Sequence, residues 1–409
     1  MRPLQVLIIG AGLGGLTAAA CLRRAGFAVR VYEQAPVLGE VGAGIQISPN
    51  AVKVLRQIGV AAALDAVAVR PLALEGRDWQ SGQVLNRIEL GDAFVRTYGA
   101  PYYHVHRADL HALLVAAVQR LAPDAICLGA RCVGVEAAGE RVRVRFANGT
   151  AAEGDVVVGA DGIHSVVRHS LFGPEAPRFT GMVAFRATVP LARLPAGLIE
   201  RKGYNWMGPH HHFVHYLLRR GTLVNCVGVC EQDHWRLESW STEGDLRELR
   251  AEFTGWHPTI QALIAAMDRC FKWALYDREP MPRWTCGRVT LLGDACHPML
   301  PFLAQGACMA IEDAYVLARC LQTHAGVEAA LQAYEAARKP RVSQVQLGAR
   351  ARGQRLHLAD PAAIAERNAR FAQDPDFRQR EMDWIYRYDV VAEFGPLAAP
   401  LTPARHETP

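Results

Sequence analysis

The sequence predicts an α+β fold in which a parallel sheet, a separate antiparallel sheet and a set of C-terminal helices occupy different parts of the chain. Two apolar runs near the N-terminus are separated by a helical pattern, residues 181 to 280 alternate between apolar and polar positions, and helical spacing covers most of residues 329 to 390. Short continuous apolar runs are typical of strands covered on both faces, whereas alternation is typical of strands with one buried face.

The N-terminal segment predicts a strand, a helix and a second strand. Val6 to Ile9 is an apolar run that ends in glycines, Leu16 to Ala25 has helical spacing, and Ala28 to Tyr32 is the second run. Two further buried-strand patterns lie far downstream, at residues 155 to 159 and 288 to 293. Because these runs resemble one another and differ from the segment between them, we expect the first domain to be discontinuous.

The predicted domain boundaries follow from this order of patterns. The first domain takes residues 1–70, 101–180 and 281–340; the antiparallel domain takes 71–100 and 181–280; the C-terminal helices and a Pro-rich tail take 341–409.

Composition excludes several classes of protein. The 409 residues include 45 Lys and Arg against 40 Asp and Glu, and this net charge of +5 is scattered rather than gathered into a run that would suggest nucleic acid. No apolar stretch reaches the 18 residues of a membrane span, and no signal-peptide pattern opens the sequence. The ten cysteines form no C-x-x-C pair. We therefore expect a cytoplasmic monomer or homodimer that binds neither nucleic acid nor membrane.

A glycine-rich segment follows the first predicted strand. Its glycines are Gly10, Gly12, Gly14 and Gly15. They contain the spacing G-x-G-x-x-G at a strand-to-helix junction, where glycines allow a tight turn and let backbone amides approach a pyrophosphate. Glu33 ends the second strand 18 residues after Gly15, as expected for a carboxylate that binds an adenosine ribose, and Gln34 follows it. These residues predict a Rossmann-like dinucleotide site; the alternative is a Gly-rich turn followed by a surface Glu.

Two further motifs carry a resemblance to a known family. Residues 158–168 resemble the Asp-Gly motif of single-component flavoprotein aromatic hydroxylases, and residues 292–298 resemble their Gly-Asp motif. Shorter matches occur at residues 39–46, 106–110 and 304–307. The chain is most similar to the group of salicylate hydroxylase, 3-hydroxybenzoate 6-hydroxylase and 6-hydroxynicotinate 3-monooxygenase. The resemblance implies a Rossmann-like FAD-binding domain and an antiparallel-sheet substrate domain.

The resemblance also implies the cofactor and its contacts. FAD would lie extended, with NADH or NADPH as a transient reductant that has no binding fold of its own. Asp294 and Arg107 are expected near the ribityl and phosphate groups, Gln46 near the flavin ring edge, and Gly306 and Ala307, as a turn before a helix starting near Met309, at the pyrimidine edge. The alternatives are that Asp294 is an ordinary turn residue and that Gly306 and Ala307 form a turn that only caps the helix. Asp161 and Arg168 are expected to support the pyrophosphate, unless they form a strand-exit turn with a surface ion pair.

The chemistry that the family implies is hydroxylation of an aromatic ring by O2 through a flavin hydroperoxide, as used in aromatic catabolism. Pro298 and Phe302 would supply an apolar wall beside the reacting oxygen, and Arg186 is a candidate for binding a substrate carboxylate.

A histidine is the natural base for the phenol proton. On the predicted strand, one face carries His211, Phe213 and His215, and the other carries His212, Val214 and Tyr216. We predict that His215 contacts the phenol and acts as the base, with His211 as the next candidate. A histidine-rich metal site is the alternative, and we expect no metal. A structural, hydrogen-bonded role is the other alternative for each histidine.

The expected substrate is a phenolic acid of the salicylate or 3-hydroxybenzoate type. The alternative is 6-hydroxynicotinate, against which Gln46, His215 and Phe302 count because more polar groups are expected at those positions. A non-enzymatic alternative is a dinucleotide-sensing regulatory protein, which would explain the glycine motif but not the Asp-Gly and Gly-Asp motifs.

Overall fold

The computed structural model describes residues 3–39, 43–232 and 242–397. Residues 40–42, which belong to one of the shorter family matches, lie outside the described residues.

The strands of the described residues are β1 (Gln5–Ile9), β2 (Ala28–Tyr32), β3 (Gly44–Ile47), β4 (Ala73–Asp78), β5 (Val84–Glu89), β6 (Tyr103–His106), β7 (Ile126–Cys127), β8 (Cys132–Ala138), β9 (Arg141–Phe146), β10 (Ala151–Gly154), β11 (Val156–Gly159), β12 (Arg178–Pro190), β13 (Gly203–Gly208), β14 (His211–Leu218), β15 (Leu223–Glu231), β16 (Glu243–Gly244), β17 (Cys270–Asp277), β18 (Thr285–Cys286) and β19 (Val289–Leu291).

The helices are α1 (Leu13–Arg24), α2 (Pro49–Gln57), α3 (Ala61–Val67), α4 (Asp92–Tyr98), α5 (Arg107–Leu121), α6 (Val166–Phe172), α7 (Leu246–Glu252), α8 (Pro258–Ala265), α9 (Gly306–Thr323), α10 (Val327–Leu356), α11 (Pro361–Gln373), α12 (Phe377–Tyr386) and α13 (Val390–Phe394).

The first sheet has six strands in the order β18-β19-β11-β1-β2-β7. All its neighbours pair in parallel except the edge pair β18 and β19. The central strands β1, β11 and β19 are apolar and almost wholly buried, because helices cover both faces of the sheet. The predicted Rossmann-like parallel sheet is confirmed, and its strands come from four separate stretches of sequence between residues 5 and 291.

The second sheet has eight strands in the order β16-β17-β12-β15-β14-β13-β4-β5, and all pairs are antiparallel except β13 with β4. One face packs against α7 and α8 in a core of its own, with Phe213 against Phe253. The opposite face joins the main core through Ala184, Met207 and Val229. Both faces of the second sheet are therefore buried, and the face that joins the main core is the one that faces the first sheet. The predicted α+β class is confirmed; the predicted domain boundaries we retain as a proposal.

In the part of the chain that the structure describes, every helix is too short or too polar to cross a membrane.

A buried ion network joins α9 to α10. The Arg338 guanidinium lies 2.7 Å from Glu312 and 2.8 Å from Asp313, and all three side chains are fully buried. Arg341 adds a second contact to Glu312, 2.9 Å away. Burial alone would raise the pKa of Glu312, but Arg338 and Arg341 hold it below its ordinary value. Breaking such a network leaves charges in the core without compensation.

The first prediction concerns this network. Arg338→Leu should destabilise the protein by about 3–5 kcal/mol, because two buried carboxylates lose the counter-charge that they share. The thermal midpoint of the holoprotein should fall by roughly 5–15 °C. Arg387→Leu, which removes an exposed arginine paired with Asp383, is the matched control and should change the midpoint little. Equal midpoints for the two variants would show that the network contributes nothing to stability.

Candidate cofactor and substrate site

The glycine turn after β1 brings three backbone segments together. Gly10 has φ +101, and a Cβ there would lie 2.4 Å from the Ala160 carbonyl oxygen. A Cβ at Gly15 would lie 2.1 Å from the Gly10 carbonyl oxygen, whereas one at Gly12 would meet nothing within 4 Å. Helix α1 starts directly after Gly12 without a side-chain cap. The turn is closed on the sheet side and open at the helix end, which fits a bound pyrophosphate.

Glu33 lies where the ribose-binding carboxylate is expected. Its two carboxylate oxygens accept hydrogen bonds from the backbone amides of Ala11 (2.8 Å) and Ala35 (2.9 Å). These bonds fix the side chain at the end of β2 and leave lone pairs for ribose hydroxyls. Gln34 is exposed and lines a groove with Arg131, Cys132, Val133 and Val166.

Asp161 is engaged within its own loop. Its carboxylate accepts hydrogen bonds from the Ser165 hydroxyl (2.5 Å) and from the amides of Val166 (2.7 Å) and Val167 (3.1 Å), which begin α6. Burial raises the pKa of Asp161, and these hydrogen bonds oppose the rise. Any support that Asp161 gives to the pyrophosphate therefore acts through the shape of the loop.

Arg168 links the two family motifs. It is 4% exposed and donates hydrogen bonds to the Ala295 carbonyl (3.1 Å) and the Ile163 carbonyl (2.9 Å). One of these acceptors lies in the Gly-Asp turn and the other in the Asp-Gly loop. The surface ion pair considered as an alternative from the sequence is therefore wrong, because the side chain is buried and these two acceptors are backbone carbonyls.

Asp294 lies in a cleft beside Arg107. The side chain is exposed, yet enough protein surrounds it that burial raises the pKa of its carboxyl group, with His297 and Arg107 lowering it. The turn behind it is held by Asp313, which accepts hydrogen bonds from His297 Nε2 (2.6 Å) and the Gly293 amide (3.3 Å). A carboxylate in a cleft beside a cation fits an acceptor for ribityl or phosphate-side groups.

Gln46 and the start of α9 are neighbours. The Gln46 Oε1 accepts a hydrogen bond from the Tyr102 hydroxyl (2.5 Å), and the Cys308 thiol lies 3.8 Å from the Gln46 carbonyl oxygen. Gly306 is the first residue of α9 rather than part of a turn before it, so the expected helix start near Met309 is wrong by one turn. Gly306 and Ala307 thus present their amides from the first turn of a helix, where a negative charge is favoured.

Tyr216, on the second sheet, lies close to the segment that contains Gln46. A Cβ at Gly44 of β3 would lie 2.5 Å from the Tyr216 ring. The Gly44 amide donates a hydrogen bond to Asn225, which is on the second sheet like Tyr216 (2.7 Å). Burial raises the pKa of Tyr216, while Arg186 and a hydrogen bond with Gln46 lower it. The face that carries Tyr216 is therefore the one that meets the cofactor domain.

Arg186 lies on the same side of the sheet, on β12. Its guanidinium stacks over the Trp273 ring at 4.4 Å. Burial lowers the pKa of Arg186 to about 10; Tyr216 acts to raise it and Arg107 to lower it. Arg186 is thus a half-buried cation within electrostatic reach of both the cofactor cleft and Tyr216.

The structure corrects the predicted position of His215. The Trp206 ring nitrogen donates a hydrogen bond to His215 Nε2 (2.9 Å), and the imidazole stacks on Tyr204 at 4.4 Å. It is 1% exposed and lies on the face with Phe213, in the core covered by α7 and α8. Burial lowers its pKa to about 3. The expected contact of His215 with a phenol is wrong, because the side chain points away from the cofactor domain.

His211 lies on the same remote face, where its Nε2 is 2.7 Å from Glu252. The next candidate base is therefore also on the wrong side of the sheet. His212 lies on the correct side: it is buried, and its ring meets the Phe302 ring edge-on at 5.2 Å. The alternation identified the two sets of residues, but both faces are apolar, so the sequence did not show which face meets the cofactor.

The loop after the Gly-Asp motif carries Pro298 and Phe302, the two residues predicted to form an apolar wall. Phe302 is buried on the 3₁₀ turn Pro301–Leu303. Pro298 is buried too, and its carbonyl accepts a hydrogen bond from Gln346 Nε2 of α10 (2.9 Å). Helix α10 thus holds this loop against the second sheet.

One cluster has the residue types of a metal site. Ligand atoms of His211, Cys230 and Glu252 all lie within 4.8 Å of one another. The His211–Glu252 ion pair accounts for the proximity, and burial raises the pKa of the Cys230 thiol, which disfavours the thiolate that a metal requires. The expectation that no metal binds stays a prediction.

Comparisons with known proteins agree with this geometry. A family model described as "FAD binding domain" matches residues 3–348. The chain is 42% identical over 393 residues to 3-amino-4-hydroxybenzoate 2-monooxygenase PtmB3 of Streptomyces platensis, covering 95% of this chain and 97% of the relative. It is 44% identical over 348 residues to 6-hydroxynicotinate 3-monooxygenase of Pseudomonas fluorescens, covering 84% and 89%. The crystal structure of Klebsiella pneumoniae HpxO complexed with FAD and uric acid has a TM-score of 0.84 at 28% identity, covering 94% and 96%.

The second prediction tests the cleft. Asp294→Ala should weaken FAD binding about 10-fold to 100-fold, because a charge-assisted hydrogen bond in a cleft is removed. FAD content after gel filtration and the FAD dissociation constant measure the change. Asp268→Ala, which removes an exposed carboxylate paired with Arg193, should retain FAD fully. Full FAD content in both variants would show that Asp294 does not contribute to FAD binding.

Proposed function

The chain belongs to the FAD-dependent aromatic monooxygenases, and on that premise we propose that it hydroxylates a phenolic aromatic carboxylic acid with NADH or NADPH and O2. The observation that carries the proposal is Arg186, a half-buried cation on the sheet face that carries Tyr216. A carboxylate is the group that a buried guanidinium recognises best, because the planar fork donates two parallel hydrogen bonds.

The names of two relatives support this class of substrate. Both 3-amino-4-hydroxybenzoate and 6-hydroxynicotinate are aromatic carboxylic acids with a ring hydroxyl. In both names the hydroxyl is para to the carboxylate, whereas the salicylate and 3-hydroxybenzoate types favoured from the sequence place it ortho or meta. The proposed substrate class includes all of these acids, and the para-hydroxy acids are the ones that the relatives favour.

FAD, when bound, activates O2 and supplies the oxygen atom that enters the ring. We propose that the glycine turn at residues 10–15 and Glu33 hold its adenosine diphosphate half, with Gln34 beside the adenosine. Arg107 and Asp294 would hold its ribityl region, and the amides of Gly306 and Ala307 would stabilise negative charge at the flavin.

The remaining residues of the site orient the substrate and exclude water from it. Phe302 and Pro298 exclude water from one side, which disfavours wasteful release of hydrogen peroxide. Tyr216 can hydrogen-bond a polar ring substituent. His212, rather than His215, is the proposed base for the phenol proton, because its side chain lies on the face that meets the cofactor domain.

The cysteines support a cytoplasmic setting for this reaction. None of the ten is in a disulfide, and eight of them are buried. Reduced, buried thiols are typical of proteins from reducing compartments.

The third prediction is a substrate panel. The acids are salicylate, 3-hydroxybenzoate, 4-hydroxybenzoate, 3-amino-4-hydroxybenzoate and 6-hydroxynicotinate. At least one should accelerate NAD(P)H oxidation and yield a hydroxylated product detected by mass spectrometry. Hydrogen peroxide is measured in parallel, because an acid that stimulates oxidation without being hydroxylated gives peroxide alone. Product from none of the acids, with FAD bound, would contradict the proposed substrate class.

The fourth prediction concerns Arg186. Arg186→Gln should weaken binding of the active acid about 10-fold to 100-fold, because one charge-assisted hydrogen-bonding partner of the carboxylate is lost. The control ligand is the corresponding phenol without a carboxylate, whose affinity should be the same in both proteins. Flavin difference spectra give both dissociation constants. An equal loss for acid and phenol would show that Arg186 shapes the pocket without contacting the carboxylate.

A further inference from the structure

A chain of four ionisable side chains leads from the buried His212 to the surface. His212 Nδ1 lies 2.6 Å from His357 Nε2, and His357 Nδ1 lies 3.3 Å from Glu231 Oε1. The other carboxylate oxygen of Glu231 lies 2.7 Å from His210 Nδ1. The two inner histidines are 3% and 4% exposed, whereas the outer two side chains are 42% and 56% exposed. The chain thus spans the wall between the substrate side of the sheet and water.

Backbone hydrogen bonds hold the same residues in place. The His210 amide donates to the His357 carbonyl (3.3 Å), and the Glu231 amide donates to the His210 carbonyl (3.1 Å). His210 has φ +59 in the turn between β13 and β14, and His357 ends α10. Strand end, turn and helix end therefore meet at one point, which fixes the order of the side chains.

The order determines which ring nitrogens carry protons. The Glu231 carboxylate, 3.3 Å away, has a negative charge and no hydrogen to donate, so electrostatics favours hydrogen on His357 Nδ1 and leaves its Nε2 as an acceptor. His212 must then donate from Nδ1, which leaves a lone pair on His212 Nε2. Among the described residues, none is hydrogen-bonded to this Nε2. The contact between His357 and Glu231 is close enough for an ion pair but poorly aligned for a hydrogen bond, so it is the weakest link.

The neutral rings of both inner histidines bind an additional proton weakly. Burial lowers the pKa of His212, and His357, Arg352 and His211 lower it further. Burial also lowers the pKa of His357; Glu231 opposes this, and His210 and His211 add to it. At neutral pH both rings are therefore neutral. A proton taken up at His212 has to move on, and a carboxylate at the surface end is the acceptor that the geometry offers.

We propose that His357 and Glu231 are positioning residues of a proton relay that carries the substrate's phenol proton from His212 to solvent. The relay rests on the proposed function, because that function supplies the proton. The phenol O–H bond breaks and an N–H bond forms at His212 Nε2. The Nδ1 proton of His212 passes to His357 Nε2, the Nδ1 proton of His357 passes to Glu231, and Glu231 releases it to water beside His210. In the return step Glu231 takes a proton from water, the chain passes hydrogen inward, and His212 Nε2 gives its hydrogen to the phenolate oxygen of the product, which restores the original tautomers.

The fifth prediction has a test that needs no substrate. In holoprotein labelled with ¹⁵N-histidine, His212 should be neutral with hydrogen on Nδ1 at pH 7. Glu231→Gln should disturb this tautomer, because a side-chain amide can also donate to His357. Glu252→Gln is the matched control: it alters the carboxylate that pairs with His211 on the opposite face of the same sheet, and it should leave His212 unchanged. Hydrogen on His212 Nε2 in the wild-type protein would overturn the relay.

The second arm uses turnover of the active acid from the panel. Glu231→Gln and His357→Gln should lower kcat about 10-fold to 100-fold at pH 7, with a smaller change in KM and unchanged FAD content. The deficit should shrink as pH rises toward the phenol pKa of the free acid, because that acid then arrives already ionised. A deficit that is independent of pH, or one that is equal in Glu252→Gln, would overturn the relay.

The two arms separate the failures. If the tautomer is as expected and none of the acids is hydroxylated, then the proposed function fails while the histidine chain stands. If an acid is hydroxylated and both relay variants keep the wild-type pH profile, then the relay fails while the proposed function stands.

Discussion

A single buried arginine holds together the segments that line the cofactor cleft. Arg338 pairs with Glu312 and Asp313 on α9. Asp313 in turn holds the Gly-Asp turn through Gly293 and His297, and Glu312 accepts a hydrogen bond from Asn50 on α2 (2.6 Å). Charges of this kind are tolerated in a core only when each has a partner in good geometry. The position of Asp294, and with it the cleft, thus depends on contacts made in the protein core.

The sequence was sufficient to predict most of the fold because its strongest patterns are local. The strand Ala28–Tyr32 was predicted with the bounds that the structure has, and the discontinuous parallel sheet follows from apolar runs alone. Helix starts were less accurate: α1 begins at Leu13, three residues before the periodic pattern, because the first turn contains glycines that carry no periodicity.

The site was harder to predict because its decisive contacts join residues that are distant in sequence. Alternation separated His212 and Tyr216 from His215, but a sheet buried on both faces gives no sign of which side meets the cofactor. The sign exists only in the tertiary structure, where Gly44 approaches Tyr216 and Asn225. Arg168 shows the same limit, since its acceptor Ala295 is 127 residues away.

The order of strands in the first sheet has a consequence for how the protein is made. Strand β19, at Val289–Leu291, pairs in parallel with β11, which itself pairs with β1 at the N-terminus. During synthesis the ribosome must therefore release the chain through Leu291, including the whole second sheet, before the first sheet can be completed. Parallel pairing across such a separation is slow to form. The nascent N-terminal half consequently waits with an open sheet edge, and the cofactor can be captured in its finished cleft only late in translation or after it.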